Sequence, residues 1–335
     1  MSALHNHCRT KGGNHLPRRG TSAPSPPSIN PSINIQQYQV QTLNSPQSPK
    51  KEQPHQKMTQ HPRPPKQTDF PPHLTITITP PTSKSSPQPR NASTPNPTSP
   101  NILLLLHGIG DTASNFTNFG RALNLPETTV LTLQAPHPLP FDLGGFHWGD
   151  DVTFTPAGEL DADAGFTRAA RTVVNDVILG TLVQKCGYRL RDVLVFGLGQ
   201  GGMLGLVVAG LLRDLSGGDT GGNTGGGDGA AGDNDRWLSG VVSIGAAYPM
   251  SAVKNTTSIK NRTPVLLVAG RGSLVVTESA VRRTKDRFEF VEVHQYARRG
   301  DGMPRNREEM LPIMQFLARR LRSWQGVPEG SVEIS

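Results

Sequence analysis

The hexapeptide GLGQGG, Gly197 to Gly202, is the segment whose residue types and spacing point most directly to chemistry. It lies between an apolar run, DVLVF from Asp192, and an apolar stretch of helical character, MLGLVVAGLL from Met203, so it occupies a strand-to-helix turn. Two kinds of site are built on such turns. Read as Gly197, Gly199 and Gly202, the segment matches the dinucleotide fingerprint GxGxxG. That fingerprint wants an acidic residue closing the next strand about 20 residues on. Here the distance falls in a glycine-dense stretch around Asp219, so no dinucleotide is expected. Read as Gly197, Gly199 and Gly201, the segment matches the nucleophile elbow GxSxG, a sharp turn that lifts its central side chain above a sheet. Glycine stands where the serine would be, and it offers no atom to attack a carbonyl.

Other side chains with chemical potential are scattered. His107 opens the turn HGIGD after a buried apolar run, where local bracing is its expected role. His147 sits beside Trp148 in the long loop QAPHPLPFDLGGFHWGDD, with Asp150 and Asp151 close by. Two adjacent aspartates in a loop are more often solvated or capping groups than ligands, and no third ligand converges in sequence, so no metal and no other cofactor is expected. His137 lies between prolines, and His294 ends a strand and is expected at an edge; Cys186 and Ser114 have no predictable partner.

The order of these segments resembles the phospholipase/carboxylesterase family of α/β-hydrolases, which includes acyl-protein thioesterases. The resemblance runs from about Ile102 to Leu321. LLLLHGIGDTASNF is similar to the family's oxyanion segment, GLGQGG to its elbow, and HWGDD to a Trp-containing loop near the active-site mouth. PVLLVAGRGSLVV resembles the turn that bears the triad acid, and YARRGDGMPRNREEM the ending that bears the triad histidine. The resemblance implies an α/β fold with a mostly parallel sheet covered by helices on both faces. It also implies that Gly199 stands at the nucleophile position, Ser273 at the acid and Asp301 at the base, with Gly199 and Ser273 spaced apart by the glycine-rich stretch. An aspartate of ordinary pKa near 4 is a poor base for a hydroxyl. Loss of one member of a triad costs about 10⁴ to 10⁶ in turnover.

The expected function is therefore that of a binding or interaction pseudoenzyme. The alternative is an active carboxylic ester or acyl-thioester hydrolase using non-standard residues. Backbone donors survive the loss of side chains, so His107, Gly108, Ile109, Gly110 and the N–H of Gln200 are expected to form an anion-accepting loop. Phe141, Phe146 and Trp148 are expected to line a cleft for an acyl chain, a lipid or an acylated peptide.

These groups need a scaffold, and periodicity supplies one. Asn101 to Leu106 and Asp192 to Phe196 are continuous apolar runs of the kind buried on both faces of a parallel sheet, and Thr129 to Leu133, Trp237 to Ile244, Thr263 to Ala269 and Phe288 to His294 read as further strands. His73 to Thr79 alternates like an edge strand. Helices are expected after Ser114 or Asn115, with Phe116, Phe119 and Leu123 on one face, and over Asp163 to Cys186, the segment after Met203 and Met310 to Trp324.

Composition separates the domain from its flanks. Residues 1–100 hold 20 of the 30 prolines and 11 of the 34 Lys and Arg residues, with only Glu52 and Asp69 acidic. From Asn101 onward, 23 basic side chains face 24 acidic ones, so the net charge of +8 belongs to the first hundred residues. Residues 1–71 are expected to be a disordered basic tail, 72–325 one hydrolase domain with a disordered insertion near 216–235, and 326–335 a flexible end. The tail's charges are neither clustered nor interleaved with aromatics, which argues against specific nucleic-acid binding and leaves a protein partner as its expected use. Two cysteines, no apolar leader and no run of about 18 to 20 apolar residues fit a cytoplasmic or nuclear location without a transmembrane segment.

Overall fold

The computed structural model describes residues 62–81, 99–216, 236–253 and 259–323. All lie in the unit running from Met58 to Ser335. The strands are β1 (Ile76–Thr79), β2 (Asn101–Leu106), β3 (Thr128–Leu133), β4 (His137–Pro138), β5 (Phe146–His147), β6 (Val193–Leu198), β7 (Gly240–Ile244), β8 (Val265–Gly270) and β9 (Val291–Tyr296). Seven form one sheet in the order β1-β3-β2-β6-β7-β8-β9, in which only β1 is antiparallel, and β4 and β5 pair as a separate ribbon.

The leucine run explains the sheet's central position. All six residues of β2 are buried, and they divide by alternation: Ile102, Leu104 and Leu106 enter one apolar cluster, Leu103 and Leu105 the other. A strand with both faces apolar is stable only between two layers of helices. β1 is an edge strand, as its alternation suggests, and β9, carrying His294, closes the opposite edge.

Helices α1 (Ala113–Ala122), α2 (Thr167–Thr172), α3 (Gln200–Ser216), α4 (Glu278–Arg287) and α5 (Arg307–Arg320) fill those layers. α1 is capped by Thr112, whose hydroxyl accepts from Asn115 N, rather than by Ser114 or Asn115. Its buried Phe116 and Leu123 and part-buried Phe119 form the expected apolar face. α2 starts four residues later than Asp163, because the Asp163 carboxylate is bound to Met250 N at 2.6 Å and Gly165 turns at φ 85°. It then widens into π-helical turns over Val173–Val183. α5 begins before Met310, where the Asn306 carboxamide accepts from Glu309 N at 2.9 Å.

The packed chain begins earlier than residue 72. The Arg63 guanidinium donates twice to the Asp69 carboxylate at 2.7 Å, Arg63 N donates to Cys186 O at 2.9 Å, and Phe70 is buried. The ion pair closes the segment on itself, while Phe70, the bond from Arg63 N to Cys186 O and that from Lys185 Nζ to Asp69 O at 2.6 Å hold 62–71 against the domain. The expected tail before residue 62, the insertion at 217–235 and the end at 326–335 lie outside the described residues.

Candidate functional site

Parallel strands bring their C-terminal ends to one edge of the sheet, and the turn after β6 projects from that edge. Gly199 forms its apex at φ 50°, donating through its N–H to Ile244 O at 2.8 Å and accepting from Met203 N at 3.0 Å. The glycines around it are there because of backbone contact. A Cβ on Gly197 would lie 2.3 Å from Gly201, one on Gly201 2.2 Å from Leu106 O, and one on Gly202 2.4 Å from the Ser243 hydroxyl. A Cβ on Gly199 would meet nothing within 4 Å. Its surroundings leave room for a side chain in the left-handed conformation that an elbow imposes.

Ser273 and Asp301, 28 positions apart, are brought together. Ser273 Oγ donates to Asp301 Oδ2 at 2.8 Å, and Gly270 N donates to Oδ1 at 2.8 Å. The serine hydroxyl also accepts from Val276 N at 2.8 Å, so it is locked into the turn after β8. The Asp301 backbone presses on Gly245, where a Cβ would come 2.5 Å from Asp301 O, and Gly245 follows the Ile244 that holds Gly199. The three positions assigned by resemblance thus converge at one sheet edge. Arg298, which sequence reading missed, secures the loop bearing Asp301: it donates to Gly300 O at 2.9 Å, Met303 O at 2.8 Å and Glu309 Oε1 at 2.8 Å, and covers the Tyr296 ring at 4.6 Å. Its place in the run YARRGDGMPRNREEM, with Glu309 eleven residues on, was the available signal.

The neighbouring loop is braced from below. His107 is fully buried; its Nδ1 donates to Gly108 O at 2.8 Å, and its Nε2 accepts from Ala135 N at 3.0 Å. Those partners define a neutral imidazole, and burial pushes its pKa down. Trp148 Nε1 donates to His107 O at 2.8 Å, and Trp148 N to Gln200 Oε1 at 2.7 Å. Gln200 therefore ties the loop to the first residue of α3.

Three expectations about this region need correction. Trp148 is buried in the core and does not line a cleft, because its indole N–H is spent on the His107 carbonyl. Phe141 is 81% exposed at φ 59° and Phe146 packs partly on the core, so these aromatics do not enclose a pocket. Gly110 N donates to Phe146 O at 2.9 Å through the bridge between Asp111 and Phe146, which removes it as an anion donor. The N–H groups of Ile109 and Gln200 have no protein acceptor among the described residues. A Cβ on Gly108 would lie 3.5 Å from Leu198 O, placing the loop against the elbow.

The remaining candidates are accounted for. Asp150 is a cap, accepting from Thr167 N at 2.7 Å and Arg168 N at 2.9 Å; burial opposes its ionisation, yet these donors hold its pKa below the ordinary range. His147 is buried with its Nδ1 unpartnered, and its ring lies 5.4 Å from that of His137 across the β4–β5 ribbon. Burial, then His137, push its pKa down. Cys186 is buried, and desolvation raises its thiol to about 11, far from a reactive thiolate. Ser114 is an exposed helix residue. Among the described residues no serine, threonine or cysteine is hydrogen-bonded to an imidazole, no three His, Cys, Asp or Glu side chains converge as a metal site, and no helix is long and apolar enough to cross a membrane.

A mostly parallel sheet between helical layers, with a strand-to-helix turn at its C-terminal edge, is the α/β-hydrolase fold. Esterase PE8 shares the fold at a TM-score of 0.50 and 18% identity, over 74% of this chain and 99% of that one. Residues 91–220 match the family model described as phospholipase/carboxylesterase. Over 110 residues, 32% of this chain, it is 44% identical to an uncharacterized hydrolase of Mycosarcoma maydis and 34% identical to one of Schizosaccharomyces pombe. Those stretches span 41% and 44% of the two relatives, so the chain matches less than half the length of either.

Proposed function

We propose that this chain is a hydrolase-family protein that binds an acyl-type ligand without cleaving it. The supporting observation is Gly199: the apex of the elbow has open space above it and no atom that can become a nucleophile. The pair beside it points the same way. In an acid and imidazole pair, the carboxylate orients a base; here the carboxylate accepts from a serine hydroxyl instead of an imidazole. His107, whose carbonyl lies 2.5 Å from where a Cβ on Gly201 would be, is committed to the loop's internal hydrogen bonds.

The donors left over suit a carboxylate or ester oxygen. Ile109 N and Gln200 N, without a protein acceptor among the described residues, support this reading, because backbone dipoles attract negative charge whether or not catalysis follows. The acyl-protein thioesterase character of the motifs suggests a fatty acid or acylated peptide as ligand.

The test is turnover of p-nitrophenyl butyrate and a short-chain acyl thioester by the purified full chain. We expect at most about 10³-fold acceleration over water, the residue left by oxyanion stabilisation and binding alone. Greater turnover that disappears on changing a single named residue would favour the rival reading, an active ester or thioester hydrolase using other side chains. Calorimetry with fatty acids tests the binding half: no heat at about millimolar ligand, an affinity worth only about 4 kcal/mol, would remove it.

A further inference from the structure

The two edges of the sheet are finished differently. β1 runs into Pro80 and Pro81, which cannot extend a ladder, whereas β9, VEVHQY, contains no proline, lysine or glycine. Such residues are what blunts an edge strand against association, so β9 is the edge left fit for pairing. Val265 N donates to Phe290 O at 2.8 Å, and Val265 is the register partner of Val291 in the parallel pair of β8 and β9. In a parallel ladder this commits the peptide groups of Phe290, Glu292 and His294 to β8 and turns those of Val291, Val293 and Gln295 outward. None of these outward groups has a partner among the described residues.

The side chains along this edge are open as well. Val293 is 40% exposed, and Glu292 and Gln295 are exposed beside it. Glu292 is the strand's one carboxylate. Arg319 of α5 donates to it at 2.6 Å, yet it stays half exposed and accessible to a second donor.

We propose that β9 is a two-fold interface at which a second copy of this chain pairs antiparallel, with Val293 facing its own counterpart. Centred there, the outward peptide groups of Val291, Val293 and Gln295 meet those of Gln295, Val293 and Val291 in the second copy. Glu292 then falls opposite the second copy's His294 on both sides of the axis. These are non-hydrogen-bonded positions, where facing side chains approach most closely, and an imidazole N–H there donates to the carboxylate. Moving the centre to Glu292 sets two carboxylates against each other, and moving it to His294 sets imidazole against imidazole; either shift leaves an outward group of β9 facing a residue outside the strand. The strand is thus self-complementary about Val293, which selects a second copy over an unrelated strand. Two-fold pairing also closes, whereas β9 on β1 of the next molecule would propagate.

The experiment is sedimentation velocity of the full chain from about 1 to 100 µM. A monomer–dimer equilibrium with Kd below about 50 µM and no larger species is expected. Val293→Pro removes an N–H that the sheet does not use, and Val293→Lys sets like charges face to face across the axis; each is expected to weaken the dimer at least about 100-fold. Thermal melting shows that each variant is folded. Glu292→His alone is expected to weaken the dimer about tenfold, and combining it with His294→Glu, which restores the facing pair, to bring Kd back within about threefold. A monomer at about 100 µM, a dimer unmoved by a folded Val293→Lys, species growing beyond the dimer, or a double exchange no tighter than the single one would each overturn the assignment.

Discussion

The glycines of the elbow and the side chains around it have fared differently. Gly197, Gly201 and Gly202 sit where added Cβ atoms would run into backbone or a buried hydroxyl at 2.2 to 2.4 Å. Gly199 has open space above it, and only its left-handed backbone disfavours a side chain there. Packing constrains the first group whatever the protein does, since protein interiors leave no slack for an extra atom. No such collision constrains Gly199, whereas Ser273 and Asp301 are held by hydrogen bonds to each other and to the turn after β8.

The sharpest way to break that comparison is to add one carbon on each side of it. Gly201→Ala is expected to cost at least about 3 kcal/mol and to leave little folded protein, because the atom in the way is the Leu106 carbonyl of the central strand. Gly199→Ala is expected to cost about 1 kcal/mol, the penalty of the left-handed conformation alone. Urea denaturation of both variants measures the difference, and equal costs would erase it.

A second prediction concerns the brace. His107 has its pKa lowered by burial, so the unfolded chain binds a proton more readily, and the stability this histidine contributes is present above about pH 6.5 and lost as pH falls through its folded pKa. Melting temperature should fall from pH 7.5 to 5, and His107→Gln, though less stable by about 2 kcal/mol at pH 7.5, should show a flatter profile. An unchanged profile would mean that other groups, His147 foremost, carry the dependence.

The smallest expected effect is at the altered pair. Ser273→Ala removes the donor to Asp301 and the acceptor for Val276 N, and should cost about 1 to 2 kcal/mol without altering ester turnover. A drop in turnover would show that this pair still does chemistry.

The sheet was legible because its strands are continuous apolar runs, and the turn at Gly197 to Gly202 because glycine spacing carries its geometry. What lay hidden depends on contacts distant in sequence. A tryptophan in a long loop reads as cleft lining, yet Trp148 is claimed by a carbonyl 41 residues earlier. The hydrogen bond from Ser273 to Asp301 spans 28 residues and has no local pattern. The π-helical turns from Val173 to Val183 keep the apolar spacing of an ordinary helix, so periodicity could not distinguish them. Residues 62–71 look like the Pro-rich sequence before them, and only Phe70 and the pair of Arg63 and Asp69 set them apart.

The claim that the elbow lacks a nucleophile is tested most directly by treating the full chain with a fluorophosphonate, which reacts covalently with activated hydroxyls and thiols, and measuring its intact mass. The expected result is an unmodified mass, with Gly199→Ser, Ser273→Asp and Asp301→His combined in one variant gaining a single adduct. A stoichiometric adduct on the unaltered chain, mapped to any serine, threonine or cysteine, would contradict it.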